Sequence, residues 1–311
     1  MRYRIERDCR ILYPTPVREH HCQVRLAPWA DDNQAMTHLE LRVSPATLPV
    51  ARYDGFGNLT HHFGVLSAHR ALEFTLTAEV ETRLSNPFDF EVLSPARERV
   101  WLTDSLHQAP RLWDFVCHQG CLTPKLPEKI AGRPTPEWQE GVPVLQQLQE
   151  ALAWVHSVAE FAPLETQSVS ALPDLYSAAR GTAADLSHLL IALLRGWALP
   201  ARFVSGYQDA AWFEPDDEAP AGTAARPQTL HNWVETLVPG AGWRGFDPAF
   251  GLLADDTYIR VAVGRDAHDV NPLRHTSKGA GDSPEVTETL RVTRLDGAPG
   301  PGLPAGDPTQ G

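Results

Sequence analysis

Hydrophobic and polar residues alternate along much of the first 85 residues of the chain. The apolar members of the clearest run are Leu72, Phe74, Leu76, Ala78 and Val80. A period of two is typical of a strand with one buried face. Shorter alternations occur at 22–26 and 39–43, and turn-forming residues separate them. The pattern predicts an antiparallel β-sandwich as an N-terminal domain over residues 1–90.

From about residue 100 the period of the apolar positions changes from two to that of a helix. Apolar residues follow helical steps at Val142, Leu145, Leu148, Leu152 and Val155, which predicts an amphipathic helix to about residue 160. A second, more apolar helix is predicted over 183–196, where Gly196 and the following Pro200 end it.

Strands are predicted after this helix at 201–207, 231–238 and 243–247, with a hairpin turn between the last two. Helices followed by antiparallel strands indicate an α+β core domain, placed here at 91–296. The acidic segment 208–230 is predicted to be a solvated loop. One more strand is expected at 286–295, and the Gly- and Pro-rich tail 297–311 is expected to be disordered.

Composition narrows the possible partners and the compartment. The formal net charge of −12 argues against nucleic acid or an anionic membrane as a partner. No apolar stretch approaches the roughly 18 residues of a spanning helix, and the charged N-terminus does not resemble a secretory signal. We therefore expect a cytoplasmic protein.

Four cysteines do not form the dense, even set of a secreted disulfide framework. Cys117, His118 and Cys121 could form half of a metal site, but no second half-site follows them. We expect ordinary thiols here and no bound metal.

Three positions have the spacing of a thiol nucleophile, a base and an orienting carboxylate. Position 183 begins the second helix, His231 begins a strand, and Asp247 ends the next strand of the hairpin. A helix N-terminus stabilises a thiolate, and a nearby histidine held by a third group activates it. Alone, His231 would be read as structural and Asp247 as a turn residue; their order and flanks favour a catalytic pair. The sulfur is missing, because residue 183 is alanine.

Several longer blocks resemble the transglutaminase-like superfamily, in particular its bacterial two-domain members. These blocks are Asp54-x-Phe56-Gly57-Asn58, Asp185–Leu189, Pro200–Tyr207, His231–Glu235, Gly245–Pro248, Gly251–Asp256 and Val263–Asp266. The resemblance covers most of the chain and implies a papain-like core of helices packed on an antiparallel sheet.

The family pattern Gly-x-Cys-x-Asp falls on Gly181 to Asp185, so the resemblance places the nucleophile at Ala183, the base at His231 and the carboxylate at Asp247. Family members attack peptide, isopeptide or glutamine amides through a thioester and need no cofactor. This resemblance implies a peptide or protein substrate. With alanine at position 183 we expect no catalysis.

Two origins of the alanine stay open: an introduced Cys→Ala change, or a natural pseudoenzyme that serves as a peptide-binding or interaction module. In either case we expect the cleft to bind an extended peptide. Trp233, Trp212 and Phe213 are the predicted substrate-binding walls. The alternative for Trp233 is a place in the core.

Overall fold

The computed structural model describes residues 1–162, 170–209, 230–279 and 283–296. The first five strands are β1 (Arg2–Val24), β2 (Gln34–Ser44), β3 (Val50–Tyr53), β4 (Leu59–Val65) and β5 (His69–Thr82). The next elements are α1 (Pro95–Gln108), a 3-10 helix (Pro110–Phe115), β6 (Lys129–Ile130), β7 (Arg133–Pro134), α2 (Val144–Val158), β8 (Glu160–Phe161), α3 (Leu172–Ala178), β9 (Arg180–Gly181) and α4 (Ala183–Gly196). The remaining strands are β10 (Ala201–Gln208), β11 (His231–Val238), β12 (Gly242–Asp247), β13 (Leu252–Leu253), β14 (Tyr258–Gly264), β15 (Leu273–Lys278) and β16 (Glu285–Arg294).

The N-terminal region is an antiparallel sheet in which β1 is the central strand. The first half of β1 pairs with β5, and its second half pairs with β4. Alternate residues of β1 and β5 are buried, as the period of two predicts. The strands expected to form a sandwich are therefore joined into one sheet through β1, whose pairing with β5 is irregular between Leu12 and Val17.

The last two strands fall within the predicted core domain, 91–296, but pair with the N-terminal sheet. Both β15 and β16 pair antiparallel with β1, so 273–294 completes the N-terminal sheet instead of extending the core. The alternation in the sequence predicts a strand at 286–295 but carries no information about its partner, which lies about 280 residues earlier in the chain.

The core domain is an antiparallel sheet in the order β13-β12-β11-β10-β14, with α4 packed on β10 and β11. Every residue of α4 except Gly196 is buried. The helix α2 packs on α4 through its apolar stripe. The predicted fold class, an antiparallel β domain followed by helices on an antiparallel sheet, is confirmed.

The direction of α4 over the sheet decides which residues can meet. Near the end of α4, Arg195 donates to the carbonyl of Ala201, the first residue of β10 (3.0 Å). In the middle of the helix, the His188 ring stacks on Phe203 at 4.8 Å. The helix therefore runs antiparallel to β10, and its N-terminus lies at the end of the sheet where β11 begins with His231, opposite Gly206.

The N-terminal domain binds the edge strand β14 through side-chain amides. Asn58 donates to the carbonyl of Val263 and accepts from its N–H, both at 2.8 Å. Gln34 makes the same pair of bonds with Arg260, at 2.8 and 2.9 Å. These amides satisfy backbone groups that a free sheet edge would leave unpaired.

None of the described helices is long and apolar enough to cross a membrane.

Candidate active site

The turn before α4 places residue 183 at the first position of the helix. The Thr182 hydroxyl accepts from the N–H of Asp185 (3.2 Å), and the Asp185 carboxylate accepts from the N–H of Thr182 (3.0 Å). This reciprocal pair is a capping box. The other oxygen of Asp185 accepts from the N–H of Ser170 at 2.8 Å, which ties the preceding loop to the helix.

Gly181 is required by the close packing of this turn. A Cβ there would lie 2.6 Å from Leu175 Cδ1 and 2.9 Å from Asp185 Cβ. The Ala183 side chain, by contrast, is at the edge of the core, with 9% of the residue exposed. The turn therefore presents position 183 at the positive end of the α4 dipole.

His231 and Asp247 lie together at the same end of the sheet. The His231 Nε2 atom is 2.7 Å from Asp247 Oδ2. Because a carboxylate only accepts, Nε2 carries the proton and Nδ1 remains for a group outside the pair. The N-terminus of α4 lies at this end too, so the structure brings position 183, His231 and Asp247 to one region.

The Asp247 carboxylate is fully buried, with 0% of the residue exposed. Its Oδ1 accepts from the N–H groups of Ala249 (2.9 Å) and Phe250 (3.4 Å). Its Oδ2 accepts from His231 and also from the Tyr258 hydroxyl at 2.9 Å. Burial, followed by the charge of Asp247, raises the pKa of Tyr258. The sequence analysis did not single out Tyr258, which lies eleven residues beyond Asp247 on another strand.

Two half-buried phenylalanines stand beside the His–Asp pair. The Phe250 ring stacks on His231 at 5.2 Å, with 22° between the ring planes. Phe161 meets Phe250 edge to face at 5.5 Å, and β8 places Phe161 opposite Gly181 of β9. Neither residue was predicted, and for Phe161 the reason is that nothing in the sequence pattern shows that β8 and β9 pair. Together they provide an apolar wall next to the imidazole.

Trp233 does not lie in an exposed wall. Only 1% of the residue is exposed, and its ring packs edge to face on Tyr258 at 5.3 Å. It belongs to an apolar cluster with Val204 and Val263, on which Trp29 and Phe56 of the N-terminal domain also pack. This position favours the alternative that Trp233 is a core residue. Trp212 and Phe213 lie outside the described residues.

Three of the four cysteines lie away from position 183, and the fourth, Cys121, accepts at its carbonyl from the N–H of Leu172 at the start of α3 (3.2 Å). Cys9 and Cys22 are buried in the N-terminal sheet, where burial raises the pKa of each thiol to about 12. Cys117 is exposed, and its carbonyl accepts from Arg195 at the far end of α4. The twelve helical steps from Ala183 to Arg195 span about 18 Å. Within the described ranges, no group of three or more His, Cys, Asp or Glu side chains is placed to hold a metal ion.

Comparisons with known proteins agree with this architecture. Residues 3–81 match the bacterial transglutaminase-like N-terminal region, and residues 132–248 match the transglutaminase-like superfamily. Together these matches cover more than half of the chain. The protein belongs to the transglutaminase-like superfamily, in its bacterial two-domain form.

The similar proteins span nearly the whole chain. An uncharacterized protein of Mycobacterium leprae is 26% identical over 300 residues, which cover 94% of this chain and 99% of that protein. An uncharacterized protein of Mycobacterium tuberculosis is 26% identical over 280 residues, covering 88% of this chain and 86% of its own length. The crystal structure of a candidate cysteine protease from Cytophaga hutchinsonii has a TM-score of 0.69, with 18% identity, 95% of this chain covered and 91% of that one. At this identity the structural match concerns the fold.

Proposed function

We propose that this chain is a peptide-binding protein on a cysteine-peptidase scaffold, which holds a peptide or isopeptide amide beside His231 and Asp247 without cleaving it. The observation that carries the proposal is the 2.7 Å bond between His231 and Asp247, retained beside a helix N-terminus whose first residue is alanine. The proposal is the same whether this alanine is natural or introduced.

The chemistry of the site follows from what is present and what is missing. In a thiol-dependent peptidase the thiolate attacks the amide carbonyl, the amine leaves with a proton from the imidazole, and water then releases the acid from the thioester. The methyl group of Ala183 cannot form that bond. The remaining groups can still contact an amide: the imidazole Nδ1 of His231, the first N–H groups of α4, which lack partners within the helix, and the ring of Phe250.

Restoring the sulfur tests the assignment of position 183. In an Ala183→Cys variant, the helix terminus and His231 should lower the pKa of the new thiol well below the value of about 8.5 for free cysteine. Iodoacetamide alkylation measured against pH reports this pKa. Cys117 and Cys121 are exposed and are replaced by serine in the background, so that they do not contribute.

The matched control is Ala184→Cys, one residue further along the same helix end and buried to nearly the same degree. Its thiol lies in the same dipole field, but its side chain leaves the helix about 100° away from that of residue 183. We expect the thiol at 183 to react faster at neutral pH than both the control and free cysteine. A thiol at 183 that reacts no faster than free cysteine contradicts the assignment.

Peptide binding is tested on the chain as it stands. Glutamine-containing peptides should shift the NMR signals of the His231 imidazole and the Phe250 ring in a saturable way. A Phe250→Ala variant should bind them more weakly, because it removes the apolar wall beside the imidazole. Shifts that cluster far from Ala183 and His231, or no shifts at all, would refute the binding proposal.

A further inference from the structure

We infer that Tyr258 is a positioning residue for the His231–Asp247 pair, and that the N-terminal domain holds it in place through β14. The inference rests on the proposed function of this site and concerns a residue outside the nucleophile, base and carboxylate. Tyr258 acts through Asp247, since its hydroxyl contacts the carboxylate at 2.9 Å.

Asp247 accepts as many hydrogen bonds as its carboxylate can hold. An ionised carboxylate offers about four lone-pair sites, and here the two backbone N–H groups, His231 and Tyr258 occupy them. Because Asp247 is fully buried, bulk water does not reach its carboxylate. A buried carboxylate with an empty site is destabilised and tends to rotate towards another donor. The Tyr258 hydroxyl therefore limits the orientation of Oδ2, the oxygen that holds the imidazole.

The Tyr258 hydroxyl stays protonated and therefore remains a hydrogen-bond donor. Burial and the neighbouring carboxylate both raise the pKa of its hydroxyl, so the proton stays on the phenol oxygen over the range in which a thiol and an imidazole titrate. The hydrogen bond from Tyr258 to Asp247 thus persists while the rest of the site changes its protonation.

The N-terminal domain holds the Tyr258 ring in place in two ways, through β14 and through Trp233. Tyr258 begins β14, the strand whose backbone is bonded by Asn58 and Gln34 of the N-terminal domain. The buried ring of Trp233 packs edge to face on Tyr258. Trp233, in turn, belongs to the cluster that Trp29 and Phe56 of the N-terminal domain cover. This chain of contacts connects the N-terminal domain to the carboxylate, which gives that domain a role in the site.

The test compares Tyr258→Phe with Tyr207→Phe in the Ala183→Cys background. Tyr207 is buried like Tyr258, but its hydroxyl bonds the carbonyl of Leu26 in the N-terminal domain (2.8 Å) and not Asp247. Loss of the Tyr258 hydroxyl should raise the pKa of the thiol at position 183 by about one unit, which lowers its alkylation rate near neutral pH about tenfold. The Tyr207 variant should leave that pKa unchanged. Equal thiol pKa values in the Tyr258 variant and its parent would overturn the inference.

A second measurement does not depend on the thiol. In the chain with Ala183, the Nε2 proton of His231 is shielded by its bond to Asp247 and should exchange slowly with water. Tyr258→Phe should accelerate this exchange at least tenfold, whereas Tyr207→Phe should not; an unchanged rate would overturn the inference. If the exchange accelerates while the parent Ala183→Cys thiol has an ordinary pKa, the positioning role stands and the proposed peptidase scaffold fails.

Discussion

At the scale of single residues, position 183 is held in place by hydrogen bonds that do not involve its own side chain. Alanine is a strong helix former, and its methyl group fits the edge of the core at the first position of α4. The neighbours that hold the site, Thr182, Asp185 and Asp247, make their hydrogen bonds without any atom of residue 183. The absence of a thiol that we propose at this position is therefore compatible with an intact helix start.

The role of Asp247 can be tested in the Ala183→Cys variant. Asp247→Asn removes the negative charge that holds the Nε2–H tautomer and stabilises the imidazolium, so the thiol should be a weaker acid and react more slowly by orders of magnitude at neutral pH. The change preserves shape, so circular dichroism should report an intact fold, while the unfolding midpoint should fall because the amide nitrogen cannot accept the hydrogen bonds that one carboxylate oxygen accepts. Alkylation rates against pH provide the measurement.

The control for that experiment is Asp255→Asn. Asp255 lies in the next turn, where its carboxylate accepts from the N–H and hydroxyl of Thr257 (2.9 and 2.6 Å) and does not bond His231. We expect the control to keep the reactivity of its parent. Full reactivity in the Asp247 variant as well would remove Asp247 from the orienting role.

Some of these site residues could be predicted from the sequence, and others could not, for physical reasons. His231 and Asp247 stand at the ends of a predicted hairpin, so their meeting could be inferred from the turn between them. Tyr258 and Phe161 reach the site through strand pairings that no local pattern reveals. Trp233 shares a strand with His231, and only the packing of the N-terminal domain shows that its ring is covered.

At the scale of elements, the N-terminus of α4 is the best defined structure of the site. The capping box, the tie from Asp185 to Ser170 and the close contact at Gly181 all fix the first turn of one helix. Because that turn places residue 183, its hydrogen bonds serve both stability and geometry.

The two capping residues should differ in their contributions. Thr182→Ala removes one side-chain cap and should lower the free energy of unfolding by about 1 kcal/mol. Asp185→Ala also leaves the N–H of Ser170 without its acceptor, and should cost about 2 kcal/mol. Urea denaturation of the two variants measures the difference. A smaller cost for Asp185 than for Thr182 would mean that the bond to Ser170 contributes nothing.

Long elements could be predicted from their period, whereas two-residue strands could not. The helix at 183–196 and the strands at 231–238 and 243–247 occur within a residue of the expected bounds. The parallel contact between β8 and β9 has two residues on each side, too few for any alternation to appear. Yet this short contact places Phe161 beside the turn that leads to position 183.

At the scale of the whole molecule, late segments of the chain pair with early ones. The C-terminal strands β15 and β16 return to β1, and loops of the N-terminal domain bind β14 of the core. Hydrophobic period can assign residues to strands, but such returns join segments more than 200 residues apart, which is why the partners of these strands could not be predicted.

Asn58 is one of the residues whose side-chain amides join the two domains, and it permits a test of their coupling. It is fully buried, and its amide bonds both backbone groups of Val263 as well as Asp54 of its own turn (3.0 Å). Asn58→Ala would leave the N–H and carbonyl of Val263 buried and unpaired, so the free energy of unfolding should fall by about 3 kcal/mol. The parent should unfold in one calorimetric transition, and the variant should unfold earlier, with the two domains separating into distinct transitions.

Asn33→Ala, at an exposed position of the same domain, is the control and should unfold like the parent. If Asn58→Ala retained the parent's midpoint and single transition, the amide pairing with β14 would not be what couples the domains, and the support that β14 gives to Tyr258 would have to come from the apolar cluster around Trp233.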